Sequence, residues 1–503
     1  MKSNIFLAGL AATILLVSGC SDSASTRIDE PEETILAQVG DKTISVNEFI
    51  RRAEYTMRPE YCMRDNYVHK KIVLNSLIAE KLFSLAGGPN PELADHEEFQ
   101  AFLRGRKEQA MRRLLIHDET DEDLQVDTAA IRNAFQRAGR TYQVRYINIP
   151  ENRYLESHAA RVKSDGRLSG VYRELYGPGE IPEKKVTWQD ASLQPLHEAL
   201  YAQPVAKSDI IGPVRSVDGV VTFMKVTGWT DRKVISDTDI RDRWNTVRER
   251  LEGYEVAERF DAYVSEIMAG KRLEFNREIF FTLVELFAPV YLRDEEEKEA
   301  MANAVFWDKQ AGEEIFDNVQ ESIDKYRDFP LLQIDGEIWT VHNFVEAQKS
   351  HPLVFRTKSL TRKNFAKQFK LAIVDLVRDQ YLTEAAYRRG YDQINIVERD
   401  LAMWSDHMES LAHRNQYLRD TGFNKSFGKH YMQAIEEHLN PYVDELQDRY
   451  SKQIAINYEA FEKIQLSRID MFATLENVPY PVAVPSFPVL TTDHRLDYGD
   501  IIN

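Results

Sequence analysis

The sequence is poor in the devices that staple a chain or carry it across a membrane. Among 503 residues there are two cysteines, Cys20 and Cys62, too few for a disulfide framework, so stability must come from packing. The one long apolar run, Ile5 to Val17, has 13 residues. A membrane-spanning helix needs roughly 20, and no second candidate span follows. The GxSxG, Walker and GxGxxG patterns are absent, and the 12 histidines form no HExxH or Cys/His set. His407 and His413 are six residues apart, off a single helical face, and read as surface histidines. The acidic run Asp294 to Glu299 lacks the alternating ligands and glycine of a calcium loop and reads as a solvated helix start. No metal or small-molecule cofactor is therefore expected. Negative charge outweighs positive: 81 Asp and Glu against 64 Lys and Arg give a formal net charge of −17, which argues against nucleic acid or anionic lipid as the main ligand.

What is present begins with a targeting signal. Lys2, the apolar run, and then Val17-Ser18-Gly19-Cys20 resemble a lipoprotein signal peptide ending in a lipobox. That resemblance implies removal of residues 1–19, acylation of Cys20, and a polar tether over 20–34. An ordinary secreted protein is the alternative. Ser21 after the cysteine resembles outer-membrane sorting, so the expected location is periplasm-facing and lipid-anchored at the outer membrane. Once Cys20 is acylated a single thiol remains. Cys62, between Tyr61 and Met63, reads as buried and inert.

The length exceeds the limit of about 250 to 300 residues for one core, so two or more domains are expected. A repeat supplies them. QVGDKTISVNEF at 38–49 aligns without a gap with QIDGEIWTVHNF at 333–344, each reading as strand, turn, strand, helix start. Gly40-Asp41 and Asp335-Gly336 make the turns. Ser45 is a candidate N-cap with Glu48 completing a capping box, and Thr340 matches Ser45. LIAEKLFSLA at 77–86 resembles LVRDQYLTEA at 376–385, both amphipathic helices. KRLEFNREIF at 271–280 resembles KQIAINYEAF at 452–461, each suited to a closing strand. Two tandem modules follow, about 35–285 and 330–470, each hairpin closed by its own later strand, with a helical linker over 286–329.

The first module carries an insertion at 140–230, between a helical part at 35–139 and a return helix and strand at 231–285. YQVRYINIP at 142–150 alternates as a strand does, and KKVTWQDASL, SDIIGPVRSV and GVVTFMKVTGW complete a small α+β domain. Next comes an apolar stripe at helical spacing: Ile240, Trp244, Val247, Leu251, Tyr254, Ala257, Phe260, Val264 and Ile267. It reads as core packing, with a partner-binding coiled coil as the alternative. The proline-rich tail, 471–503, cannot be a helix. It is expected to run extended across the second module or to contact a partner.

On these segments the chain resembles the parvulin-type envelope foldases, the SurA, PrsA and PpiD kind, in which an isomerase domain interrupts a helical chaperone module. VGDKTISVNEF, LIAEKLF, the helix at 240–268 and LEFN carry the likeness, over roughly 35–285. It implies an α+β fold, predominantly helical, with two chaperone-like modules, the first interrupted by a parvulin-like domain. The isomerase pocket departs from the family. Where the family's first strand has a histidine the chain has Tyr146, Lys185 stands where an acid usually lies, and Thr222 replaces the second histidine. Isomerisation must cross a barrier of about 18–20 kcal/mol, and the family's polar network is here reduced to the hydroxyls of Tyr146 and Thr222.

Three functions follow from that resemblance: a chaperone for unfolded or nascent envelope proteins, a working prolyl isomerase with an altered pocket, or a fixed non-catalytic subunit of an envelope complex. The first is preferred, because the scaffold is duplicated and the pocket is not retained.

Overall fold

The computed structural model describes residues 33–502 except 89–92, 94–95, 122–123, 150–153, 191–193, 216–219, 293–320, 358 and 468–470. Cys20, the tether up to residue 32 and the acidic run Asp294–Glu299 lie outside them. The chain is α+β and predominantly helical. In order come β1 (Ile35–Val39), β2 (Lys42–Ser45), α1 (Val46–Glu54), α2 (Tyr67–Gly87), α3 (Glu97–Asp121) and α4 (Thr128–Arg137). The inserted domain holds β3 (Arg140–Ile149), α5 (Leu155–Asp165), α6 (Ser169–Tyr176), β4 (Glu183–Val186), α7 (Gln194–Tyr201), β5 (Ile210–Arg215) and β6 (Val221–Asp231). Then come α8 (Asp237–Ile267), β7 (Leu273–Phe275), α9 (Arg277–Tyr291), β8 (Pro330–Ile334), β9 (Glu337–Thr340), α10 (Val341–Ser350), α11 (Phe365–Arg388) and α12 (Asn395–Asp420). Last are α13 (Asn440–Tyr450), β10 (Ile454–Ile456), α14 (Tyr458–Lys463) and β11 (Asp500–Ile501).

Both hairpins turn where the residues demand it. Gly40 takes φ +63°, and Asp335 and Gly336 take φ 52° and 85°. Ser45 accepts the Glu48 amide at 2.9 Å. The reciprocal half of that capping box does not form, because the Glu48 carboxylate turns inward to Lys81, 3.1 Å away. The second hairpin does form a full box, between Thr340 and Asn343.

The closing strands are exchanged. β10 pairs with β1, and β7 pairs with β8. The two junctions share one register: Gln38 lies opposite Ala455 and Gln333 opposite Glu274. Both also end alike, with the Asn457 amide bonded to the Leu36 carbonyl and the Asn276 amide to the Leu331 carbonyl, each 2.8 Å. The tandem boundaries 35–285 and 330–470 therefore do not match the two cores. One core joins β1, β2, α1 and α2 to the chain after residue 417, and includes Leu36, Phe49, Leu77, Leu439 and Phe461. The other joins α9 to β8, β9, α10 and α11 through Phe287, Leu331, Phe344 and Phe369. The repeat could not reveal this, since either closing strand fits either hairpin. Connectivity decides it: Phe260, Val264 and Ile267 at the end of α8 pack with Leu382 and Ala386 of α11, which delivers β7 beside β8.

The apolar stripe of α8 thus serves two cores. Trp244, Val247 and Leu251 pack on the inserted domain, and the residues from Phe260 onward pack on α3 and α11. The tail lies on the first core, where Phe487, Leu490 and Leu496 are buried against residues from both expected modules. Within 330–470 it bonds Asn440 through Thr491, Asp444 through Arg495 and the Ser350 carbonyl through the Tyr480 hydroxyl. The tail folds back on itself where Thr474 pairs with Val482 and the Leu475 amide donates to the Pro481 carbonyl at 2.7 Å, and side chains hold much of the rest of its main chain. Gln109 brackets Tyr480, Asn75 donates to the carbonyls of Asp493 and Arg495, and Arg52 donates to that of Ser486.

Helix α2 is buried without interruption from Ile72 to Ser84, charged residues included, rather than amphipathic. Arg52 donates two 2.8 Å bonds to Glu80, both side chains being fully buried, and His407 Nδ1 lies 2.8 Å from the same carboxylate. The histidine expected at the surface is thus internal, because it is the third member of this cluster. Burial alone would raise the Glu80 pKa, but the Arg52 guanidinium and the His407 ring hold it well below the carboxylate range. Removing one partner strands a buried charge. Glu80→Ala is expected to cost about 3–5 kcal/mol in urea unfolding, and replacing Arg52 and Glu80 together by Met and Leu to recover most of it. A loss below about 1 kcal/mol for Glu80→Ala would contradict this reading.

Candidate functional site

The inserted domain is a four-stranded antiparallel sheet in the order β4-β3-β6-β5. The segments holding Lys185, Tyr146 and Thr222 occupy its adjacent strands β4, β3 and β6. Side chains alternate between faces, and residues directly opposite share a face. One face, with Tyr142, Val144, Met224 and Val226, packs toward α4, α7 and α8. The other, with Ile147, Ile149 and Phe223, lies under α5 and α6.

Tyr146 is opposite Met224 and Thr222 is opposite Asn148, so the two are diagonal neighbours on the first face. Tyr146 is half-buried among apolar residues. Thr222 is buried, and its hydroxyl donates to Asn148 Oδ1 at 2.8 Å. Lys185 is opposite Gln143, which puts it on the reverse face, where it is exposed. The sheet brings Tyr146 and Thr222 together and leaves Lys185 out. One residue of register decides that, since Lys184 opposite Val144 has the face of Tyr146.

Trp188, just after β4, is a core residue whose ring meets Tyr201 edge-on at 5.1 Å. Its main chain is held by a residue that pattern reading missed. His197, fully buried, has Nε2 3.0 Å from the Trp188 carbonyl, bonds the Tyr254 hydroxyl through Nδ1, and stacks on Tyr201 at 4.4 Å. Burial, aided by Arg250, lowers its pKa from 6.5 to about 4. The folded state therefore favours the neutral ring. Its contribution to stability is complete above pH 6.5 and is lost as the pH falls from 6.5 toward 4. The unfolding midpoint is expected to drop over that window. His197→Phe, although less stable at pH 7, should give a flatter profile, and an unchanged slope would contradict the assignment.

Outside the inserted domain, a cleft of about 950 Å³ opens between β2, α1, α3, the start of α12 and the tail. Its wall mixes apolar side chains, among them Tyr55, Leu114, Val397, Met403 and Leu475, with charges of both signs. At its base Asp406 bridges Lys42 at 2.5 Å and Lys81 at 2.9 Å, and Arg399 meets Glu33 at the rim, 2.5 Å away. Arg51 lies 3.7 Å from Asp400. Burial raises the pKa of Glu48 despite Lys81 and Arg52, and that of Asp400 despite Arg51, Arg106 and Arg113. The sequence held no signal for this cleft, because the residues lining it run from Glu33 to Ala483 and come from segments far apart in the chain. Cys62, by contrast, is fully buried in the first core. No helix among the described residues is long and apolar enough to cross a membrane.

No protein-family model matches the chain. Over 110 residues it is 34% identical to a catalase-peroxidase of Streptomyces coelicolor (strain A3(2)). That stretch is 21% of this chain and only 14% of that enzyme, well under two thirds of its length, and it carries no activity to this chain.

Proposed function

We propose that the protein is an envelope chaperone, a lipoprotein that holds unfolded or nascent client segments and carries a parvulin-like domain without the parvulin pocket. The observation that supports this most is the cleft beside β2. Its apolar and doubly charged wall suits chains of varied sequence, bound weakly through several small contacts. An α+β domain inserted in a predominantly helical frame is in keeping with the foldase likeness, while the exchange of the closing strands is not part of what that likeness implies. Acylation of Cys20 would place the cleft, whose rim includes Glu33, within a short tether of the membrane.

Purified protein starting at Ser21 is expected to slow aggregation of a chemically unfolded outer-membrane protein at near-stoichiometric ratio. Reversing Arg51 and Arg113 to Glu should weaken that capture severalfold without lowering the unfolding midpoint by more than a few degrees. Absence of any complex and of any slowing would overturn the proposal. In cells, Cys20→Ala should move the protein from the membrane to the soluble fraction.

Prolyl isomerisation is the second reading, and what favours it is the shared face of Tyr146 and Thr222. It requires acceleration of cis/trans exchange in a proline peptide that falls with Tyr146→Phe or Thr222→Val. Because the Thr222 hydroxyl is spent on Asn148 and Lys185 faces away, the expected result is no acceleration in an assay where an active parvulin works.

A further inference from the structure

Within the cleft, one wall differs in kind from the rest. β2 is the last strand of its sheet, whose order is β11-β10-β1-β2, so its outer edge has no partner strand among the described residues. The direction of its main-chain groups follows from β1. The Gly40 amide donates to the Gln453 carbonyl and the Leu36 carbonyl accepts from the Asn457 amide, both at 2.8 Å, so the even-numbered residues of β1 face β10. Ala37 and Val39 then face β2, opposite Ile44 and Lys42. Alternation turns the N–H and C=O of Thr43, between those two, outward. Thr43 is exposed and lines the cleft.

An outward pair of main-chain groups on an edge strand is a template for another strand. Natural edges are usually blunted by a proline, a bulge or a covering loop. The register shift in the β1–β2 ladder falls between Ile35 and Ala37, beyond the Lys42–Ile44 stretch, and a cleft of about 950 Å³ lies against that stretch. Its lining fits a guest whose side chains are unspecified. Main-chain bonding is blind to sequence, while Lys42, Arg51 and Arg113 on one hand and Asp400 and Asp406 on the other accommodate side chains of either charge.

We propose that the outer edge of β2 binds an extended segment of an unfolded client as an added β-strand, hydrogen-bonded through the main chain of Thr43. This rests on the chaperone reading and names the form in which the client is held. Strand addition has a signature that side-chain capture lacks: only every second residue of the guest points its N–H at the host.

The test uses the full soluble chain from Ser21 and an acetylated, amidated nonapeptide of alternating threonine and valine with a lysine at each end. Each residue is N-methylated in turn, and one analogue carries a photo-reactive phenylalanine. The expected result is a loss of about tenfold or more in affinity at alternate central positions and little change between them, with cross-links confined to the cleft walls at residues 42–55, 110–117, 396–406 and 471–483. Uniform tolerance of N-methylation, uniform loss, or cross-links elsewhere would overturn strand addition. A second probe separates the two claims. If a reduced, carboxymethylated unfolded protein is captured while the nonapeptide is not, strand addition fails and the chaperone reading stands. If neither is bound, both fail.

Discussion

Two fully buried side chains, Arg52 and Glu80, meet in a two-pronged ion pair, and most of the first core is arranged around the need to keep that pair satisfied. A guanidinium and a carboxylate taken out of water lose several kcal/mol each, and hydrogen bonds to their remaining polar atoms offset part of that loss. His407 of α12 shares the carboxylate, and the carbonyl of Ser486 in the tail accepts a further bond from the guanidinium, whose Nε finds no partner among the described residues. One ion pair thus draws together α1, α2, α12 and the tail, segments from both ends of the chain. Beside it, Lys81 performs the same service for Glu48 and Asp406 and forms the floor of the cleft. The charges that fix the fold also give the cleft its polarity.

The second unit repeats this device with different partners. In the aligned helices Asp379 stands where Glu80 does, and it too is buried and bonded to a histidine, His351, at 2.9 Å. Burial alone would raise its pKa, but His351, Arg378 and Arg112 bring it down to about 2. Together with the shared register at the exchanged strands, this supports duplication of a unit comprising hairpin, capped helix and buried acid. The exchange ties the units to each other, because each hairpin is completed by a strand from outside its own repeat.

Features governed by neighbours in sequence were legible before the fold was known. The two hairpins follow from Gly40 and Asp335-Gly336, the caps from Ser45 and Thr340, and the long helix α8 from its stripe. The burial of Cys62 follows from its apolar flanks. Features governed by distant partners were not. The helix that holds Glu80 and Lys81 reads as amphipathic, since nothing nearby announces Arg52 or Asp406. His407 read as a surface residue for the same reason. The pairing of closing strands was hidden by the likeness of LEF and IAI. At the parvulin-like site, Tyr146 and Thr222 fell together because their strands are adjacent, whereas Lys185 missed the face by one position of a strand only four residues long.

The claim that joins fold to function is that an unfolded client lies in the cleft beside β2. Hydrogen–deuterium exchange of the full soluble chain, with and without a saturating unfolded protein, tests it without any substitution. The account predicts new protection at residues 42–55, 110–117, 396–406 and 471–483, with the inserted domain unchanged. Protection confined to β3 and β6, or none anywhere under conditions where a complex is present, would contradict it.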